Sequence, residues 1–138
     1  MAEVSRPLPQ PDDVTRPFWE ACTRRTLCFQ QCPACGHRWL PASAVCPRCW
    51  AAHTEWIPAR GGGTVFSFAV YHRAYHPAFT PLLPYVVGVI ELAEGPRLVS
   101  NIVGAAPQDI RVGMPVLLEF LAIEEVALPV FRLAGGGQ

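Results

Sequence analysis

Four cysteines carry the clearest chemistry in this chain. Cys32-Pro-Ala-Cys35 and Cys46-Pro-Arg-Cys49 each set two thiols at the spacing of a metal knuckle, and the ten residues between the pairs let both knuckles close on one ion. Gly36 follows the first pair, where a knuckle turn often requires a positive φ. A redox reading needs one Cys-x-x-Cys in a βαβ setting, whereas here the motif is doubled, broken by proline and surrounded by strand-like sequence. The expectation is a metal centre, with zinc first and an iron-loaded, rubredoxin-like site as the alternative that thiolate softness allows. Four protein thiolates leave no open coordination position, so such an ion neither activates water nor polarises a substrate and is structural. His37 and His53 lie near these ligands and read as exposed polar residues, while Cys22 and Cys28 read as partly buried thiols.

The richest polar stretch outside the cysteines is YHRAYHPAF, residues 71–79, followed by Pro84-Tyr85. Tyr71, His72, Arg73, Tyr75, His76 and Tyr85 offer a cation and aromatic faces, which suit either an adenine with its phosphates or an anchor for a protein partner. A metal on His72 and His76 would want a helix, and Pro77 together with the strand pattern before it disfavours one. Other chemistries lack their parts. There is no lysine, so this chain alone forms no Schiff base. None of Ser5, Ser43, Ser67 and Ser100 sits in a Gly-x-Ser-x-Gly elbow. Gly61, Gly62 and Gly63 have no accompanying Gly-Lys-Ser/Thr and read as a hinge or bulge opening a strand rather than a phosphate cradle.

The elements that must position these residues follow from punctuation and period. Residues 1–14 form a proline-rich, flexible terminus; a helix over 16–27 follows, capped by Thr15, with Pro17 in its first turn and an apolar stripe of Phe18, Ala21, Cys22 and Arg25. Helix and ribbon together span 15–57, and PARGGG marks the boundary to a second unit, 58–138. That unit is all β: strands are expected at 64–72, with Phe66, Phe68 and Val70 on one face, and at 85–92, 97–103, 115–121 and 128–133. Glu94-Gly95 makes a hairpin turn, and Gly88 inside an apolar strand marks a bulge or tight bend. The predicted fold class is mainly β: an N-terminal helix with a rubredoxin-like zinc ribbon, then a five-stranded OB-fold barrel.

Length and charge bound the function. A chain of 138 residues with 51% apolar and 16% charged residues is one large domain or two small ones. No apolar run reaches the roughly 20 residues of a membrane span, and no signal-peptide centre is present, so the expected compartment is the cytoplasm, where paired cysteines hold metal rather than disulfides. Nucleic acid is the obvious use of a ribbon joined to an OB-fold, but the net charge is zero and residues 91–125 carry six acids against Arg97 and Arg111.

Taken in order, Phe18-Trp19, CPACG, CPRC, GGGTVFSFAVYHR, LPYVVGVIELAEGPRLVSNIVG, IRVGMPV and PVFR resemble the acyl-CoA-associated zinc-ribbon OB-fold proteins over roughly residues 15–133. The specificity lies in combining the ribbon spacing with Pro84-Tyr85 and Arg111-x-Gly113. The resemblance implies structural zinc on Cys32, Cys35, Cys46 and Cys49. It also implies an accessory role, in which the OB part docks on a thiolase-superfamily enzyme and helps form its acyl-CoA channel. Ketothiolases, hydroxymethylglutaryl-CoA synthase assemblies and lipid-transfer-protein-like retro-aldolases acting on sterol side chains are such partners. Some members carry a fused hotdog-fold hydratase, which this sequence lacks. The expectation is thus a non-catalytic subunit in a hetero-oligomer, with a free-standing acyl-CoA binder or a single-stranded nucleic-acid module as alternatives.

Overall fold

The computed structural model describes residues 8–134; the rest of the expected flexible terminus, residues 1–7, lies outside them. Helix α1 spans Arg16–Thr23, ending earlier than its apolar stripe predicted. Phe18, Ala21 and Cys22 are buried, but Arg25 is not part of the stripe: it sits past the helix end with φ 62° and is exposed. Left-handed backbone there closes the C-terminus, with the N–H groups of Arg25 and Thr26 donating to the carbonyls of Cys22 and Ala21. Thr15 makes no side-chain cap to the helix; its hydroxyl instead accepts from the N–H of Asp12, whose Oδ1 accepts from Val14 and Thr15 at 2.9 and 2.8 Å. The N–H of Thr15, then its hydroxyl, hold the Asp12 carboxyl below its ordinary value.

The ribbon is a three-stranded sheet ordered β2–β1–β3, from β1 (Cys28–Gln31), β2 (Arg38–Trp39) and β3 (Glu55–Pro58). Buried Gln30 on β1 ties the intervening loop down. Its Nε2 donates to the carbonyl of Ser43 and to Thr54 Oγ1, and its Oε1 accepts from the N–H of Ser43 at 2.8 Å. A buried amide satisfied on both sides fixes its loop, because leaving either side unmade would carry the full desolvation cost.

The second unit is a closed barrel, β4–β5–β6–β8–β7, built from β4 (Gly62–Tyr71), β5 (Tyr85–Leu92), β6 (Arg97–Val103), β7 (Pro115–Ile123) and β8 (Val126–Leu133). All pairings are antiparallel except β6 with β8, the five-stranded arrangement expected of an OB-fold. The Glu94-Gly95 turn joins β5 to β6, with the Gly95 N–H donating to the Leu92 carbonyl.

Two details of β4 depart from simple alternation. Its bulge falls at Phe66, between the pairs Val65↔Ile90 and Ser67↔Val89, whereas Gly88 is paired regularly with Phe68. The extra residue turns Val65 into the core with Phe68 and Val70, and leaves Phe66 outside under the Arg97 guanidinium, 3.7 Å from the ring centroid. Gly88 answers a packing need: a Cβ there would lie 2.9 Å from Ile102 Cδ1. Of the glycines that open β4, Gly63 serves close approach too, since a Cβ there would lie 2.6 Å from the carbonyl oxygen of Glu91 as the strand pairs with β5 and β7 at once.

One core runs through both units. Phe18, Cys22 and Leu27 bury themselves with Val65, Val86, Ile90, Ile102, Ile110, Val116 and Phe131 of the barrel, while Cys32, Trp39 and Cys46 form a small second cluster in the ribbon. At the rim, Glu94 joins the two: its carbonyl accepts from Arg38 Nη1 at 3.2 Å and its Oε2 from the N–H of Arg60 at 2.7 Å. No helix among the described residues is long and apolar enough to cross a membrane.

Candidate metal centre and aromatic loop

The two knuckles are near copies of each other. The N–H of Gly36 donates to the Cys32 carbonyl and that of Trp50 to the Cys46 carbonyl, both at 2.8 Å. The N–H groups of Cys32 and Cys46 donate in turn to His37 and Ala51. This bonding curls each Cys-x-x-Cys so that its two sulfurs face the same way, and the pairing of β1 with both β2 and β3, which flank the second knuckle, brings the two curls together. All four sulfurs lie within 4.8 Å of one another, Cys32 to Cys49 at 3.5 Å and Cys35 to Cys46 at 3.7 Å.

The donor set fits zinc. A tetrahedron with Zn–S bonds of about 2.3 Å has edges of about 3.8 Å, close to these separations. The backbone already favours the anionic sulfur: although burial opposes ionisation of Cys46, the N–H groups of Cys49 and Arg48, each 3.4 Å from its Sγ, draw its thiol below the ordinary range. An ion held here would supply cross-linking of the fold and no reactivity, since four thiolates complete its shell. The two remaining cysteines are different in kind. Cys22 and Cys28 are buried, more fully than the sequence implied, and burial pushes the Cys22 thiol up to about 12 and raises Cys28 as well. His37 stacks on Trp39 with centroids 5.6 Å apart, and His53 is exposed.

The connection from β4 to β5 gathers aromatic rings at one end of the barrel. Tyr71 and Tyr85 are register partners and stack at 5.0 Å, Tyr75 meets Tyr71 edge-on, and Arg73 covers the Tyr75 ring at 5.5 Å. His76 is spent on structure: its Nδ1 accepts from the N–H of Ala78, capping a 3-10 turn over Pro77–Leu82. His72 is exposed and makes no hydrogen bond or ring contact among the described residues, so the loop unites Tyr71, Arg73, Tyr75 and Tyr85, with His76 joined to them edge-on through Phe79 at 5.9 Å and His72 left outside. Sequence reading passed over Phe79, which lies 5.7 Å from Tyr85 and extends the cluster; its place four residues after Tyr75 was the available signal. It also passed over a groove of about 310 Å³ between α1, residues 40–42 and strands β6 and β8, walled by Phe18, Trp19, Leu40, Val99, Leu128 and Val130. No period in one element marks it, because four separated segments build it.

A four-thiolate ribbon packed through a shared core on a five-stranded barrel defines a zinc-ribbon OB-fold protein. Within that class the chain belongs to the ChsH2-type DUF35 family: residues 19–55 match the family model described as "ChsH2, rubredoxin-like zinc ribbon domain" and residues 56–121 that described as "ChsH2, C-terminal OB-fold domain". Among solved structures, a chain of the "Ltp2-ChsH2(DUF35) aldolase" is 42% identical and superposes with a TM-score of 0.83, over 91% of this chain and 98% of that one. A "Probable enoyl-CoA hydratase alpha subunit" of Thermomonospora curvata is 46% identical over 119 residues, which are 85% of this chain and 37% of that protein. A "3-oxo-4,17-pregnadiene-20-carboxyl-CoA hydratase alpha subunit" of Mycobacterium tuberculosis is 30% identical over 129 residues, 86% of this chain and 40% of that protein. The chain thus spans about two fifths of these hydratase subunits.

Proposed function

We propose that the chain is a non-catalytic accessory subunit that docks on a thiolase-superfamily enzyme, an aldolase of the Ltp2 kind or a thiolase, and helps form its acyl-CoA site. The observation that carries this reading is the near end-to-end match to the ChsH2(DUF35) chain of an aldolase assembly, at 42% identity. The inventory of reacting groups supports it: the chain has no lysine, its serines lie outside any nucleophile elbow, and the four thiols of the ribbon are taken up by zinc on Cys32, Cys35, Cys46 and Cys49. Carbon–carbon bond cleavage is then the partner's chemistry, carried out in the cytoplasm.

The aromatic end of the barrel is the docking surface of this reading. Tyr71, Tyr75 and Tyr85 offer ring faces to an adenine or to an apolar partner surface, and Arg73 carries no ion pair among the described residues that would compete for a phosphate or carboxylate. His72 and His76 flank it. The substrate class of this reading is a thioester of coenzyme A with a sterol side chain or a fatty acid, and the relatives' names, which carry enoyl-CoA and a pregnadiene carboxyl-CoA, support it. The hydratase names belong to those longer subunits, about two fifths of which align with this chain. Co-expression with an Ltp2-type subunit, followed by purification through a tag on this chain, tests the reading. The expected result is a stable hetero-oligomer that cleaves an acyl-CoA substrate, with neither subunit active alone. Turnover of an acyl-CoA by the isolated chain would refute it.

A further inference from the structure

The twin knuckles, CPACG and CPRCW, differ at two positions, Ala34 against Arg48 and Gly36 against Trp50, and the second difference is the telling one. Gly36 and Trp50 are equivalent: each follows its second cysteine, each N–H donates 2.8 Å to the carbonyl of the first cysteine, and each backbone is left-handed, at φ 79° and 67°. Glycine adopts that conformation freely, whereas a side chain there is strained. The position looks outward, since a Cβ on Gly36 would meet nothing within 4 Å. Trp50 shows what that means for a large ring: it is 76% exposed, and it makes no ring or cation contact among the described residues. Tyr75 is equally exposed, but it packs on Tyr71 and lies under Arg73.

A strained backbone and a solvated indole both disfavour this residue in the free chain, and no contact within the described chain offsets them. We infer that Trp50 is an anchor for a partner protein, inserted on assembly into an apolar slot of the enzyme subunit to which this chain docks. The inference rests on the accessory-subunit reading and adds to it a second contact, on the ribbon rather than on the barrel loop. Arg48 defines the slot's rim. It lies in the same knuckle, exposed, and its guanidinium has no carboxylate or other partner among the described residues, so the complementary surface is an apolar slot edged by an acidic side chain. A buried tryptophan with a paired arginine beside it is the usual composition of an interface hot spot.

The sign of one substitution separates this role from a structural one. Trp50→Gly places in the second knuckle the residue that the first already uses, so the free chain should keep its zinc and melt at the same temperature or higher. Titration calorimetry of the zinc-loaded chain against purified Ltp2 subunit should then show dissociation weakened at least thirty-fold for Trp50→Gly. Arg48→Glu should weaken it about ten-fold, most strongly at low salt. A Trp50→Gly variant that binds like the wild type would overturn the inference while leaving the accessory-subunit reading intact, as would one that sheds zinc or melts several degrees lower. If the wild-type chain itself shows no binding, the accessory reading fails and the anchor with it, an outcome recognisable because the variant then has nothing to lose.

Discussion

Cys46 shows how single residues here divide between holding metal and filling core. Its sulfur is fully buried, receives two backbone N–H groups and stands 3.7 Å from that of Cys35, so its loss removes a quarter of the coordination shell and opens the small ribbon core around Trp39. Structural zinc contributes on the order of 10–16 kcal/mol to folding in ribbons and fingers, more than the margin of a domain this size. Cys46→Ser should therefore give insoluble protein, and elemental analysis of the wild type should find one zinc per chain; iron in its place would contradict the assignment. Cys22 has the opposite character. Its thiol is raised from the ordinary 9.0 to about 12 by burial, then by the neighbouring Cys28, so between these limits the folded chain holds a proton that the unfolded chain has released. Stability must then fall as pH rises through that window, by up to about 1.4 kcal/mol per pH unit, and be unaffected by this group below pH 9. Urea unfolding at pH 8 and pH 10.5 should show the wild type losing more stability over that interval than Cys22→Ala does.

At the level of elements, the barrel was the most legible part of the sequence and β4 the least. Strands β5 and β6 fall where their apolar runs and the Glu94-Gly95 turn put them, because a hairpin's register is written in its own residues. The bulge at Phe66 was not legible: Phe66, Phe68 and Val70 alternate perfectly, and only the need of β4 to pair with both β5 and β7 selects which aromatic is expelled. Gly88, expected at a bulge or tight bend, instead pairs regularly and allows close packing against Ile102. Gly88→Ala should accordingly destabilise the barrel by about 1–2 kcal/mol through overpacking. Trimming the opposing side chain with Ile102→Val should recover part of that loss, measured as the coupling in a double-mutant cycle. The knuckles were readable at once from spacing alone, but the meaning of Trp50 required seeing that it occupies the backbone of Gly36. The aromatic loop gives a contrasting prediction. Replacing Arg73 and Tyr75 together with alanine removes exposed groups that support no core, so melting temperature and zinc content should stay near wild type. The affinity for the partner subunit should fall by about 2 kcal/mol, or the KM of the assembled enzyme for acyl-CoA should rise correspondingly.

For the molecule as a whole, charge decides between the two uses of a ribbon joined to an OB-fold. The net formal charge is zero, and a four-thiolate zinc centre subtracts about two from the arginine-rich ribbon, leaving little counterion release to drive binding to a phosphate backbone. Fluorescence anisotropy with single-stranded DNA or RNA at physiological salt should show binding no tighter than a neutral control protein, and sub-micromolar affinity with a steep salt slope would reverse the conclusion. Arg97 is not free to face a phosphate, being held between Glu91 at 3.1 Å and the ring of Phe66. The closures of the barrel bear on how copies of the chain meet one another. Three residue pairs join β4 to β7 and two join β6 to β8, which leaves less bare strand edge for stacking with a neighbour than an open sheet would. Under the accessory-subunit proposal, a copy made in excess of its enzyme then offers its neighbours little to pair with. Synthesis of the two subunits need not, on that proposal, be matched copy for copy, and the abundance of the assembled complex is set by whichever subunit is scarcer.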